Sequence, residues 1–144
     1  MARILDIQKK SNAWVANLAT NVINIIEANE QKTTAFNRVQ MLNSKNADGT
    51  SLVNNRTGSD KLSKAYARRF GKSKPNIFVT GNYQSAMFMT MPDEKSYFIT
   101  SDDEKVKYLP GNYDKLHGIA PENQPKVQAI NNALVINDYM KVFQ

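Results

Sequence analysis

Arg56-Thr57-Gly58-Ser59-Asp60-Lys61-Leu62-Ser63-Lys64-Ala65-Tyr66-Ala67-Arg68-Arg69-Phe70-Gly71-Lys72-Ser73-Lys74-Pro75 leads, through Ile77-Phe78-Val79 and Thr80-Gly81-Asn82-Tyr83-Gln84-Ser85, into Ala86-Met87-Phe88-Met89-Thr90-Met91. Two periodicities meet in this stretch. Leu62, Ala65, Tyr66 and Phe70 share one helical face, and Lys61, Lys64, Arg68 and Lys72 lie largely off it. Ser59 and Asp60 suit the start of that helix, since a hydroxyl can accept from orphan amides and a carboxylate favours the positive end of the dipole. Gly71 and the Lys74-Pro75 step end it. From Ala86 the period becomes two: Met87, Met89 and Met91 point one way, Ala86, Phe88 and Thr90 the other. Pro92-Asp93-Glu94-Lys95 then reads as a turn and Tyr97-Phe98-Ile99-Thr100 as a second strand, which makes an antiparallel hairpin. Helix and hairpin side by side imply an α+β fold.

Upstream, Ile4, Ile7, Trp14, Leu18, Val22, Ile25 and Ile26 recur at helical spacing. They predict a long opening helix over about 4–30 with one buried face, Asn21 and Asn24 lying on its wetter side. A second short helix follows over 33–42. The polar stretch 43–55, with Asp48-Gly49 as its turn signal, is a loop. Downstream, Val106, Tyr108 and Leu109 fit either a short strand or the beginning of a loop. Pro125 suits a helix start, and Val127, Ile130, Ala133, Leu134, Ile136, Met140 and Phe143 fall mostly on one face of a closing helix. The run 133–136 also suits a strand. The expected architecture is a long N-terminal helix packed on a small antiparallel sheet, with a basic middle helix and a C-terminal helix. A chain of 144 residues, 41% hydrophobic, is the size of one domain with a single core.

The formal charge of +6 is concentrated in one place. Arg56, Lys61, Lys64, Arg68, Arg69, Lys72 and Lys74 face one acid in their segment, Asp60, so 56–74 carries the whole excess. Such a field attracts phosphate backbones or an acidic protein surface, or it simply solvates an exposed helix face. The counterpart is the acidic stretch from Asp93 to Glu104, which ends in Asp102-Asp103-Glu104.

Catalytic groupings do not emerge. With no cysteine there is no disulfide framework, thiolate site or thiol nucleophile, in keeping with a chain made in a reducing cytoplasm. His117, the only histidine, has no second histidine or cysteine to join it in a metal site and reads as a packed or loop residue. Asp102-Asp103-Glu104 lacks the longer loop, glycine and distal glutamate of a calcium-binding hand. Adjacent carboxylates diverge and make no acid/base pair, and the isolated glycines form no phosphate-binding fingerprint. The sequence therefore implies no enzyme, cofactor or metal. It shows neither an apolar leader nor a membrane span, because no apolar run exceeds four residues. Met87, Met89 and Met91 fit either a core-facing strand or an adaptable contact surface.

The order Asp48-Gly49-Thr50-Ser51-Leu52, a basic segment ending Gly71-Lys72, and Ile77-Phe78-Val79-Thr80-Gly81-Asn82-Tyr83-Gln84-Ser85-Ala86-Met87 resembles the small virion-morphogenesis proteins of tailed phages, also called tail-completion or neck proteins. Phe98-Ile99-Thr100-Ser101-Asp102-Asp103-Glu104-Lys105 through Leu109, Tyr113, His117-Gly118-Ile119 and Glu122-Asn123 is similar to one subgroup of them. Leu116-His117-Gly118-Ile119 stands where that pattern is more apolar. The resemblance spans 48–124. It implies a long helix on an antiparallel sheet, a place in the virion in the connector between portal and tail, assembly in the host cytoplasm, and no active site. It also implies a homo-oligomeric ring of six or twelve copies that meets portal or adaptor and tail proteins, with DNA passing through the lumen and no membrane partner. A ring closed by head-to-tail contacts needs two different complementary patches on each copy. Arg56, Lys61, Lys64, Arg68, Arg69, Lys72 and Lys74 on one side and Asp102, Asp103 and Glu104 on the other are the candidates, and the basic set is alternatively DNA-facing. The other class of function is a small basic nucleic-acid-binding or regulatory protein.

Overall fold

The computed structural model describes residues 2–77, 81–93 and 96–144. The chain begins with three helices end to end, α1 (Ala2–Ala16), α2 (Leu18–Ala28) and α3 (Glu30–Leu42). The expected opening helix is thus cut twice, each time at an asparagine. Asn17 and Asn29 leave helical geometry, and each side-chain amide donates to the carbonyl four residues back, Ala13 and Ile25, at 2.9 Å. A short amide that bonds its own backbone competes with the helical ladder, so the breaks fall where those residues stand. Asn21, expected on the wetter side, is half-buried and donates to the Trp14 carbonyl at 3.0 Å, while Asn24 is exposed.

The basic helix, α4 (Lys64–Phe70), starts later than the sequence pattern suggests. Ser63 caps it, accepting from the Tyr66 N–H, and Ser59 instead accepts from the Lys61 N–H in the preceding turn. Gly71 ends it in the left-handed conformation, as expected of a C-terminal glycine. Ile77 turns with a positive φ of 56°; 78–80, where a β-prone run was expected, lies outside the described residues. Gly81, also left-handed, leads into the single turn α5 (Asn82–Ser85).

Strands β1 (Met87–Thr90) and β2 (Phe98–Ser101) pair antiparallel, with Met87 opposite Ser101 and Thr90 opposite Phe98. Glu94 and Lys95, in the expected turn between them, are not among the described residues. Met87 and Met89 are buried, so the alternating methionines serve the core; Met91 is half-buried. The Asp102 N–H donates to the Ala86 carbonyl, which fixes the ladder's parity: the peptide groups of Met87 and Met89 face away from β2. There α3 meets them. Arg38 Nη2 donates to the Met87 carbonyl at 3.0 Å and Glu30 Oε2 accepts from the Met89 N–H at 3.2 Å. Side chains of a helix thereby take up the hydrogen bonds of a strand edge that would otherwise stay open to another chain.

Val106 lies in a short 3-10 turn, Glu104–Lys107, and Leu109 begins α6 (Leu109–Asn112), so the strand option there is not realised. The chain closes with α7 (Gln124–Met140), Pro125 within its first turn, and a final 3-10 turn. Met41, Leu52, Tyr83, Met87, Ile99, Leu116, Ile119 and Val127 form the buried core. The last segment of the N-terminal helical run, α3, packs on the sheet; α2 lies along α7, and α1 touches the C-terminal turn.

Candidate functional site

The basic segment stands at the surface. Arg56, Lys61, Lys64, Arg68 and Arg69 are exposed and make no ion pair among the described residues. Arg69 lies over the Phe70 ring at 5.3 Å. Lys72 is half-buried and donates to Asn76 Oδ1, and Lys74 pairs with Asp60 at 3.7 Å. Because α4 is capped at Ser63, its three charged residues, Lys64, Arg68 and Arg69, belong to a helix of two turns whose Tyr66 and Phe70 rings meet at a tilt, 4.4 Å between centroids.

The acidic trio is less uniform. Asp103 caps the 3-10 turn, accepting from the Lys105 N–H at 2.9 Å and from Lys105 Nζ at 3.1 and 3.2 Å. The backbone bond from Lys105, followed by its ammonium, holds the Asp103 carboxyl below its ordinary range. Its charge is therefore spent within the chain. Asp102 and Glu104 are exposed. Lys72 of the basic segment and Lys105, which follows the acidic trio, line one cavity.

The histidine is held in place. His117 Nε2 lies 2.6 Å from the Tyr83 hydroxyl and the rings stack, 5.9 Å between centroids. Burial lowers the imidazole pKa from 6.5, and burial, with the negative Asp103 nearby, raises that of the Tyr83 phenol. A neutral imidazole accepting from a neutral phenol is the state these shifts favour, and it gives the pair a packing role.

A second surface comes from the two chain ends. The stripe of α1 and α2 exists, yet no residue described in them is fully buried. Ile4 is 70% exposed, and Leu5, Val15 and Leu18 are also exposed. On the C-terminal side Ile136 is 59% exposed, with Met140 and Phe143 in the same class. Ile4 and Leu18 were expected on the buried face of the opening helix, and Ile136, Met140 and Phe143 on one face of the closing helix. The reason they are not buried is geometric: α2 and α7 cover each other on one side, and among the described residues these side chains stay exposed on the other. Trp14 and Asp138 fasten this arm, the indole N–H donating to Asp138 Oδ2 at 3.1 Å, with the Tyr139 ring tilted against Trp14, 4.9 Å between centroids. The surplus of apolar positions over what two helices can hide was the available sequence signal.

No helix among the described residues is long and apolar enough to cross a membrane. Comparison with family models, curated proteins and solved structures finds no match to this chain.

Proposed function

We propose that this chain is a non-catalytic structural subunit of a tailed-phage virion, part of the neck or head-tail connector ring between portal and tail. The observation that carries the reading is the helical arm formed by the two chain ends, whose apolar side chains stay exposed in the isolated subunit. Exposed apolar side chains in such number favour contact with a further copy or a neighbouring protein. The sequence resemblance over 48–124 supplies the particle, and the arm supplies a means of cohesion. Arg56, Lys61, Lys64, Arg68 and Arg69, having no internal ion pairs among the described residues, are free to meet an acidic neighbour or DNA.

Mass spectrometry and electron microscopy of purified virions test this: the chain is expected in the particle at the head-tail junction, and its absence overturns the reading. A second reading, a small basic nucleic-acid-binding protein, draws on the same unpaired cations. It requires salt-dependent affinity for duplex or single strands in a filter-binding titration, weakened by reversing the charges of Arg68 and Arg69. Under the ring reading the same reversals impair assembly.

A further inference from the structure

Between the basic segment and the 3-10 turn after β2 lies a cavity of about 310 Å³. That volume is at the lower end of those that hold small organic ligands. Leu62, Pro75 and Leu109 give it aliphatic walls, and Tyr66, Tyr83, Tyr108 and Tyr113 add four aromatic rings. Gln84 also lines it. This residue is only 5% exposed, and neither Nε2 nor Oε1 of its amide has a hydrogen-bond partner among the described residues. Leaving a buried donor and a buried acceptor unmade costs roughly 1–3 kcal/mol for each group. Arg38 Nε and Asn131 Oδ1 are also buried without a partner among the described residues, but neither residue lines this cavity, and a molecule entering it would satisfy the Gln84 amide.

The shape of that molecule follows from the lining. A side-chain amide offers one donor and one acceptor side by side, which matches the paired acceptor and donor on the edge of a purine. Tyrosine rings suit the flat faces of such a base. Two lysines, Lys72 and Lys105, and no carboxylate are found among the described lining residues, so an attached phosphate meets no negative charge there. Lys105 is already paired with Asp103, which leaves the exposed cations of 56–69 as the wider source of positive field.

We propose that this cavity binds a purine nucleotide, free or within a single strand, with the base edge on the Gln84 amide and its faces against the tyrosines. The site is independent of the ring assembly, and its failure would leave the connector reading untouched.

The test is titration of the isotope-labelled full-length protein with AMP and, separately, with a short single-stranded oligo-dA, followed by amide shifts and calorimetry. Saturable binding that moves the Gln84 side-chain amide is expected, weakened about tenfold or more in Gln84→Met. AMP binding identifies a free nucleotide as a ligand; binding of the oligonucleotide alone identifies a strand. Tyr108→Ser, at an exposed position, should weaken binding without unfolding the protein. Gln84→Met should itself melt no lower than the parent, since it removes two unpaired polar atoms. No binding of either probe at millimolar concentration overturns the proposal. So does binding that Gln84→Met leaves intact, which would mean charge attraction to the basic segment or occupancy by water alone.

Discussion

Asn37 and Gly118, eighty-one positions apart, are joined by the amide of one and the backbone of the other: Asn37 Oδ1 accepts from the Gly118 N–H at 3.2 Å. The same side chain donates through Nδ2 to the Leu116 carbonyl at 3.1 Å. One turn along α3, Gln40 repeats the pattern, donating to the Gly118 carbonyl at 3.0 Å and accepting from the Ala120 N–H at 2.9 Å. Both amides are buried. An irregular segment that crosses the core must satisfy its peptide groups somewhere. Here a helix supplies side-chain amides that act as a short strand would, and 116–120 is pinned across α3.

Asn37→Leu therefore removes two bonds and leaves a partly buried N–H and a buried carbonyl behind. Urea denaturation should show a loss of about 2–4 kcal/mol, whereas Lys61→Ala, at an exposed site, should change stability by less than about 0.5 kcal/mol.

Gly118 adopts a φ of 131°, and a Cβ added there would lie 2.9 Å from the Ala47 Cβ. Gly58, with a φ of 62°, has nothing within 4 Å. Gly118→Ala should cost about 2–3 kcal/mol, combining backbone strain and collision, and Gly58→Ala about 1 kcal/mol from strain alone. Paired denaturation curves check the order; equal losses would contradict this account.

The lowered His117 pKa makes stability depend on pH in a definite direction. Above the unfolded value of 6.5 both states carry a neutral imidazole and the contribution is complete. As pH falls below 6.5 the unfolded chain takes up a proton first, so stability declines until the folded pKa is passed. Melting temperatures should be flat from pH 8 to 7 and fall between about 6.5 and 5, with a shallower fall in His117→Gln. The carboxylates held below their ordinary range, Asp103, Glu122 and Asp138, act only at lower pH.

Trp14→Phe keeps the ring against Tyr139 and deletes the indole bond to Asp138. Hydrogen exchange should quicken in α1, α2 and the last turns of α7, and stay unchanged in α3 and β1, because the arm and the core share few side chains. A uniform increase across the chain would mean that the two unfold as one unit.

Periodicity made the hairpin, the basic helix and the closing helix legible, since each rests on a local pattern of apolar spacing. Met87 and Met89 fell on the buried face because a period of two admits one inward side once β2 pairs. Two errors were local competitions that spacing does not resolve. Ser59 and Ser63 are both able to cap, and which does depends on where the preceding turn closes. Asn17 and Asn29 sit in good helical rhythm, yet their amides bond back to the chain and break it. The exposed arm was misread for another reason: an apolar stripe announces a wish for cover and is silent on whether the same chain provides it.

By itself the sequence determined the helical and strand rhythm of the main elements and the location of the positive charge, because these follow from neighbouring residues and composition. Tertiary structure decided which polar groups meet. Asn37 and Gln40 find 116–120, Arg38 and Glu30 find β1, and Gln84 finds a cavity and no partner among the described residues. Hydrogen bonds are short-ranged and directional, so their partners are set by how distant segments pack, and spacing along the chain carries no record of it.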